Sequence, residues 1–183
     1  MAKGASFERD ISKQLSLWWT DGERDDVFWR SSMSGGRATV RGKQGKATAN
    51  QYGDITATDS IGEPLVSKVV IELKRGYKNW SVMDTLDSAT PHTTQFYKFL
   101  QQVLAACKLA NTDYFLLICK RDRRQPIVIM SKWLAGHPLM GTSPEYRKHI
   151  RGEVHVEGDT VHYCAMLLKD FFAIYRPEHF IGL

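Results

Sequence analysis

The segment Lys68–Arg75 constrains the fold of this chain most, because its residue types alternate with a period of two. Successive side chains of a β-strand point to opposite faces of a sheet, so an apolar stripe forms on one face. The stripe consists of Val69, Ile71 and Leu73. Glu72 and Lys74 then project together from the opposite face. The pattern predicts a strand that is anchored on one side and presents a carboxylate and an ammonium group on the other.

A second carboxylate, that of Asp54, lies in another predicted strand, Tyr52–Asp59. If that strand lies beside Lys68–Arg75, the carboxylates of Asp54 and Glu72 converge with the ammonium group of Lys74. Carboxylate oxygens suit Mg²⁺, and a metal ion held in this way is used to cleave phosphodiesters. Two such close carboxylates are costly unless a cation or a substrate completes the cluster. The pattern indicates a candidate site, although solvated Glu-x-Lys strands also occur without one.

Bulk properties favour one domain with an anionic partner. The chain has 183 residues, of which 43% are hydrophobic, and it carries a formal net charge of +5 with a pI of about 9.1. This balance favours a polyanion such as nucleic acid. The cysteines form no CxxC pair, so neither a zinc site nor a disulfide framework is indicated. Because no apolar run could span a bilayer and no signal peptide is evident, we expect a soluble, cytoplasmic protein without a membrane partner.

Hydrophobic periodicity predicts an α/β layout. The predicted elements are a helix from Ser6 to about Trp19, strands at Val27–Ser32, Gly53–Asp59 and Lys68–Lys74, a helix from about His92 to Leu109, and strands at Tyr114–Lys120 and Pro126–Met130. A turn is expected at Gly62–Pro64, and a hairpin around Gly158 is expected in the tail. We expect a single domain over residues 1–183, with a core of about 3–130 and a C-terminal extension of about 131–183.

The element order and the residues Asp54, Glu72 and Lys74 together resemble the PD-(D/E)xK nuclease superfamily. In this chain Gly53 stands where that superfamily often has proline. The resemblance covers roughly Lys3–Met130. It implies a restriction-endonuclease-like fold, with a central mixed β-sheet flanked by helices, and a metal-dependent endonuclease that acts on DNA.

The resemblance also implies roles for individual residues. Asp54 and Glu72 would bind Mg²⁺, with Mn²⁺ as a substitute, together with the backbone carbonyl of Leu73. Lys74 would orient the attacking water or help to deprotonate it, and would offset charge on the phosphate. Gln95 resembles the polar helix residue that many members place near the site, and the alternative is a solvated first-turn glutamine.

The N-terminal string Lys3–Ile11 looks like the start of archaeal-type Holliday-junction resolvases, in which a Lys-Gly pair precedes a helix with a catalytic Glu followed by Arg. Glu8 would carry that role here as a further metal ligand, and Arg30 matches a basic residue near the resolvase site. The alternative for Glu8 is a first-turn acid favoured by the helix dipole. The resemblance implies a homodimer that cuts branched DNA in recombination or repair. The loops after Arg30 and Lys74 are longer than in those resolvases.

Basic residues cluster in two further places. The loop between Arg30 and Tyr52 carries four basic residues and no acidic one, namely Arg37, Arg41, Lys43 and Lys46. With Arg30, these residues are candidate DNA contacts, since a basic glycine-rich loop can follow phosphates. A solvated surface loop is the alternative. The second cluster, between Lys120 and Arg124, is either a DNA contact or a charged hairpin tip. Trp80, after the site strand, is either a recognition residue or a core residue.

The sequence therefore favours a Mg²⁺-dependent DNA endonuclease that resembles a Holliday-junction resolvase. A restriction-type or repair nuclease of the same superfamily would show the same residues. A non-catalytic DNA-binding module on the same fold would bind DNA without cleaving it. In a basic α/β interaction protein without a nucleic-acid role, Asp54, Glu72 and Lys74 would not converge.

Overall fold

The computed structural model describes residues 3–31, 52–131, 134, 149–181 and 183. The helices of these parts are α1 (Lys3–Trp19), α2 (Glu63–Val66), α3 (Asp84–Asp87), α4 (Gln95–Ala110), α5 (Leu168–Ile174) and α6 (Glu178–Ile181). The strands are β1 (Phe28–Arg30), β2 (Ile55–Ala57), β3 (Val69–Arg75), β4 (Tyr114–Lys120), β5 (Ile127–Ser131), β6 (His149–Val156) and β7 (Asp159–Leu167). None of the helices in these parts of the chain combines the length and apolar character needed to cross a membrane.

A five-stranded sheet forms the centre of the molecule, with the strand order β3-β4-β5-β7-β6. β3 and β4 run parallel, and the remaining neighbours are antiparallel. β1 and β2 pair antiparallel as a separate ribbon. Helices cover both faces of the sheet, because α1 packs against one hydrophobic cluster and α4 against the other. The expected α/β fold, a central mixed sheet flanked by helices, is confirmed.

α1 covers one face through residues at helical spacing. Phe7, Ile11 and Leu15 are buried in the cluster that also contains the apolar stripe of β3. The helix is tied to the ribbon by a buried hydroxyl, since the Phe28 backbone N–H donates to Ser16 Oγ at 2.9 Å. Such a bond satisfies a buried donor at the position where β1 meets the helix. α1 therefore supports the ribbon that leads into the candidate site.

α4 covers the opposite face. Thr94 caps its first turn, where the hydroxyl accepts from the Tyr97 backbone N–H, and Asn111 ends the helix with a left-handed backbone at φ 52°. Thr at an N-cap and Asn at a left-handed C-terminal position are both favoured residue types. The apolar face of α4, which includes Phe96, Phe99 and Val103, is buried against the sheet.

β3 shows the alternation that the sequence predicts. Val69, Ile71 and Leu73 belong to the cluster on the α1 side, whereas Val70 belongs to the cluster on the α4 side. By the same alternation Glu72, two residues after Val70, and then Lys74 lie on the α4 face. The charged pair is therefore covered by a helix and is not a solvated strand face.

The C-terminal segment continues the central sheet. The hairpin expected around Gly158 is present as β6 and β7, and β7 pairs with β5 over five residue pairs. Phe171 and Tyr175 are fully buried in the cluster on the α1 side. The Trp18 indole N–H donates to the Tyr175 carbonyl at 2.8 Å. The start and the end of the chain thus share one core.

Two local expectations require correction. The turn expected at Gly62–Pro64 is a short 3₁₀ helix (Ser60–Gly62) followed by α2, which has Pro64 in its first turn. Proline fits there because the first N–H groups of a helix have no intrahelical acceptor. The predicted strand Gly53–Asp59 is shorter in the structure, and as β2 it pairs with β1 and not with β3.

Candidate functional site

Asp54 is docked on the free edge of β3 although β2 pairs elsewhere. Its backbone N–H donates to the Ile71 carbonyl at 2.8 Å, and its Oδ2 accepts from the Leu73 backbone N–H at 2.8 Å. The N–H and C=O of one strand residue point to the same side of the strand, so the Leu73 carbonyl also faces this edge. Asp54 therefore lies next to the two residues that flank Glu72.

Gly53 makes this close approach sterically feasible. A Cβ atom at this position would lie 2.6 Å from the Ile71 carbonyl oxygen and 3.0 Å from the Ile71 nitrogen. Both are backbone atoms of a paired strand and cannot move aside cheaply. Glycine is thus required at the position where the chain brings Asp54 to β3.

Glu72 and Lys74 form a buried ion pair on the opposite face from the apolar stripe. Lys74 Nζ lies 2.9 Å from Glu72 Oε2, and the two side chains are 8% and 7% exposed respectively. The same Oε2 accepts from the Gln102 side-chain amide on α4 at 3.1 Å. The pair is therefore oriented by a helix as well as by its own strand.

Burial is the main cause that raises the pKa of Glu72, to about 7, and the charge of Asp54 adds to the rise. The ammonium group of Lys74 acts in the opposite direction without cancelling it. Burial by itself would lower the pKa of Lys74, but the charge of Glu72 and its hydrogen bond, together with the charge of Asp54, raise it. Near neutral pH, Lys74 is charged and the carboxyl group of Glu72 retains a proton for part of the time.

This donor set fits a divalent cation. The cluster sets two carboxyl groups, those of Asp54 and Glu72, against the single ammonium group of Lys74, and a hard cation would offset the remaining negative charge. Among the described residues, no three His, Cys, Asp or Glu side chains form a metal-binding group. Mg²⁺ needs only one or two carboxylates when water and substrate phosphate complete its shell. Asp54, Glu72 and the Leu73 carbonyl are the donors available for it.

Glu8 and Arg30 form an ion pair close to Asp54 in the ribbon. Arg30 Nε lies 3.4 Å from Glu8 Oε2, and Arg30 pairs in register with Ile55, the residue after Asp54. Phe28, which precedes Arg30 on the same strand face, is buried against α1, so the ion pair lies on the α1 side of the ribbon. The structure does not place Glu8 in one carboxylate group with Asp54 and Glu72. Its role as a metal ligand and the DNA contact of Arg30 stay predictions.

Gln102, and not Gln95, contacts the buried acid. Gln95 is the first residue of α4, and Gln102 follows two helical turns later. Residues seven apart lie on the same helix face, so the sequence could have pointed to Gln102 as a second polar residue above the strand. The sequence does not show how far along β3 the helix α4 packs, and this position decides which glutamine reaches Glu72. The role predicted for Gln95 stays a prediction.

The structure describes one of the two basic clusters. The loop residues Arg37, Arg41, Lys43 and Lys46 lie outside the described residues. The second cluster is the turn between β4 and β5, and its Arg121 donates to the Trp80 carbonyl at 3.0 Å. Trp80 itself is a buried core residue. This turn lies at the same end of the sheet as Lys74, because Arg75 and Lys120 are register partners.

Comparison with known proteins assigns the chain to a family. A family profile described as "Phage putative PDDEXK endonuclease" matches residues 1–182. No curated protein and no solved structure matches the chain significantly. The matched region includes the ribbon, β3, α4 and the C-terminal strands. The chain therefore belongs to this phage PDDEXK endonuclease family, within the PD-(D/E)xK superfamily.

Proposed function

We propose that the protein is a Mg²⁺-dependent DNA endonuclease whose site consists of Asp54, Glu72 and Lys74. The observation that carries the proposal is the docking of Asp54 on β3, which brings its carboxyl group to that of Glu72 while Lys74 contacts Glu72 at 2.9 Å. Family membership supports the same activity. Mn²⁺ would substitute, because it accepts the same oxygen donors.

In this proposal each residue has a role that its functional group allows. Asp54, Glu72 and the Leu73 carbonyl would hold the cation, which when bound supplies Lewis-acid activation of water and charge neutralisation at the phosphate. Lys74 donates hydrogen bonds only, so it orients the attacking water and offsets negative charge that develops on the phosphate. Gln102 keeps Glu72 in place through Oε2.

The test is a cleavage assay on duplex, branched and single-stranded DNA with Mg²⁺ or with EDTA. We expect Asp54→Asn and Lys74→Ala each to lower cleavage by about 100-fold or more, the scale seen when a group that acts on the transition state is removed. Asp113→Asn is a matched control, because Asp113 precedes β4 at the opposite end of the sheet. Cleavage that persists in EDTA or survives both site substitutions would contradict the proposal. DNA binding without cleavage would favour a non-catalytic binding module.

A resolvase-like specificity is the finer version of this proposal. It is supported by the ion pair between Glu8 and Arg30, which lies one register position from Asp54. It predicts that a homodimer nicks four-way junctions in preference to linear duplex, and that Glu8→Gln reduces this cleavage. Sedimentation velocity measures the dimer. Equal cutting of both substrates by a monomer would leave a restriction-type or repair nuclease as the better description.

A further inference from the structure

Two large aromatic side chains remain exposed next to the proposed site. Trp29 is 47% exposed and Tyr77 is 42% exposed. In the described part of the chain, no other tryptophan, tyrosine or phenylalanine side chain is classed as exposed. Exposed aromatic rings cost free energy in water and often indicate a binding surface. Their positions relative to Asp54 and Lys74 show what such a surface could bind.

A bend after β3 and a ring contact position Tyr77, which follows Lys74 by three residues. The chain bends after β3 at Gly76, which has a φ of 89°. The Tyr77 ring then contacts the Phe99 ring, with centroids 4.9 Å apart and an interplanar angle of 76°. Phe99 lies one helical turn before Gln102, the residue that contacts Glu72.

Trp29 lies on the ribbon that leads directly to Asp54. It is the register partner of Thr56, and Asp54 precedes Thr56 by two residues. The ladder reaches Asp54, whose carbonyl accepts from the Ser31 backbone N–H at 2.7 Å. Side chains two residues apart share a strand face, and diagonal neighbours across a ladder are about 7–8 Å apart. Trp29 and Tyr77 therefore flank the site, one on the Asp54 side and the other on the Lys74 side.

The same end of the sheet is basic. Lys78 follows Tyr77 directly, and the turn between β4 and β5 is exposed and contains a single acid, Asp122. The basic residues of that turn and its preceding strand end are Lys120, Arg121, Arg123 and Arg124. Arg121 also holds the loop after β3 against the turn through the Trp80 carbonyl. Phosphates would be attracted to the surface that carries the aromatic rings.

Exposed rings combined with basic groups fit unpaired nucleotides. In continuous duplex DNA the base faces are stacked inside the helix, and only phosphates, sugars and groove edges are accessible. Single-stranded segments expose base faces, which stack on protein aromatic rings regardless of sequence. An aromatic ring on each side of the site would hold the strand on both sides of the scissile phosphate.

We propose that Trp29 and Tyr77 stack on unpaired nucleotides that flank the scissile phosphate, so that the substrate is DNA with a single-stranded segment, such as a flap or a gap. This inference rests on the proposed endonuclease function and names its substrate class, as an alternative to the four-way junction of the resolvase-like version.

The test measures binding in EDTA, so that cleavage does not enter the result. Fluorescence anisotropy compares labelled single-stranded, gapped, flapped and continuous duplex DNA of one sequence and length. We expect the wild type to bind the three substrates with unpaired nucleotides at least about 10-fold more tightly than the duplex. Trp29→Ala and Tyr77→Ala should each weaken that binding by about 5- to 100-fold, the range of one lost base stack, with little effect on the duplex.

Matched variants separate stacking from other effects. Trp29→Phe and Tyr77→Phe keep a ring and should bind within about threefold of the wild type. Leu109→Ala removes an exposed apolar side chain at the opposite end of the sheet and should change nothing. The slope of affinity against salt concentration should stay the same in the aromatic variants, because no phosphate contact is removed. Circular dichroism verifies that each variant is folded. Each alanine variant tests the proposal by itself, so the failure of one to fold leaves the other as a test.

Two outcomes would overturn the proposal. One is equal affinity of the wild type for duplex and for DNA with unpaired nucleotides. The other is that the alanine variants bind DNA as tightly as the wild type, or lose affinity by the same factor for every substrate. Failure of the endonuclease proposal would look different, since the binding preference would persist while Mg²⁺-dependent cleavage that requires Asp54 would be missing.

Discussion

Glu72 has neighbours that act on its charge in opposite directions. Lys74 and Gln102 both donate to its Oε2, which favours the carboxylate, while burial and the charge of Asp54 favour the protonated form. Burial and Asp54 prevail, and the pKa is raised to about 7. In the proposed site, this carboxyl group would exchange its proton for the cation.

The first residue-scale prediction concerns stability and pH in EDTA. The folded-state pKa of Glu72 lies above its ordinary value of 4.5, so the folded state binds the proton more tightly than the unfolded state does. This contribution to stability is complete below pH about 4.5 and is lost as the pH rises through about 7. Glu72→Gln stays neutral, so the wild type should lose up to about 3 kcal/mol relative to the variant over this range.

Urea denaturation at several pH values measures this difference. Asp113→Asn serves as a control for the general effect of removing a carboxylate. Adding Mg²⁺ above pH 7 should stabilise the wild type and leave Glu72→Gln almost unaffected, because binding to the folded state stabilises it. A constant difference between wild type and variant from pH 4.5 to 8 would contradict the pKa assigned to Glu72.

A second residue-scale prediction concerns Gly53. In Gly53→Ala the new methyl group would lie 2.6 Å from the Ile71 carbonyl oxygen, so the Asp54 segment must move off β3. We expect a loss of about 1–3 kcal/mol in unfolding free energy and a larger proportional loss of cleavage. Gly4→Ala is the matched control, because its Cβ would be 3.9 Å from its nearest neighbour, Glu8 Oε1, within a helix. Full activity in Gly53→Ala would show that the close approach is unnecessary.

At the scale of elements, α4 combines packing with positioning. Its apolar face is buried against the sheet, and the same helix brings Gln102 to Glu72. Because the packed helix is rigid, its buried face also fixes the position of Gln102. In the proposed site, Gln102 would be a positioning residue that acts through Glu72.

The prediction at this scale compares two glutamines of α4. Removing the Gln102 amide takes away a hydrogen bond to the ionised form of Glu72, so Gln102→Ala should raise the pKa of Glu72 further. The pH profile of cleavage should then shift to higher pH, and Mg²⁺ affinity at neutral pH should fall. Gln95→Ala is the comparison, since Gln95 occupies the first turn of the helix. A shift in the Gln95 variant alone would assign the role to Gln95 as the sequence suggested.

At the scale of the whole molecule, the C-terminal segment completes the core. β7 pairs with β5, and Phe171 contacts Trp18 of α1 with ring centroids 5.5 Å apart. These contacts join residues separated by most of the chain length. The ribbon that carries Asp54 rests on α1, so the site depends indirectly on the tail.

The prediction at this scale is one cooperative unfolding transition that includes the tail. Phe171 is fully buried, so Phe171→Ala should lower the unfolding free energy by about 3–5 kcal/mol. Phe172→Ala, on the partly buried neighbour in the same helix, should cost clearly less. Tryptophan fluorescence and circular dichroism in urea should report the same midpoint. Two separate transitions would instead indicate that the segment after residue 131 folds as an appendage.

The sequence by itself determined the local geometry of the site strand. The period-two pattern of β3 predicted which residues face the core and that Glu72 and Lys74 share a face, because strand alternation is a property of the backbone. The long helices, the element order and the hairpin around Gly158 followed from similar local rules. The motif around Asp54 and Glu72 also pointed to the superfamily.

Only the tertiary structure decided which residues from different elements meet. It placed Asp54 on the edge of β3 while β2 paired with β1, it paired Glu8 with Arg30, and it selected Gln102 to contact Glu72. Such contacts depend on how far helices and ribbons are displaced along the sheet, which side-chain packing over the whole core sets. Periodicity within a segment carries no information about that displacement. The residue types of the proposed site were therefore readable from the chain, whereas the contacts among them required the fold.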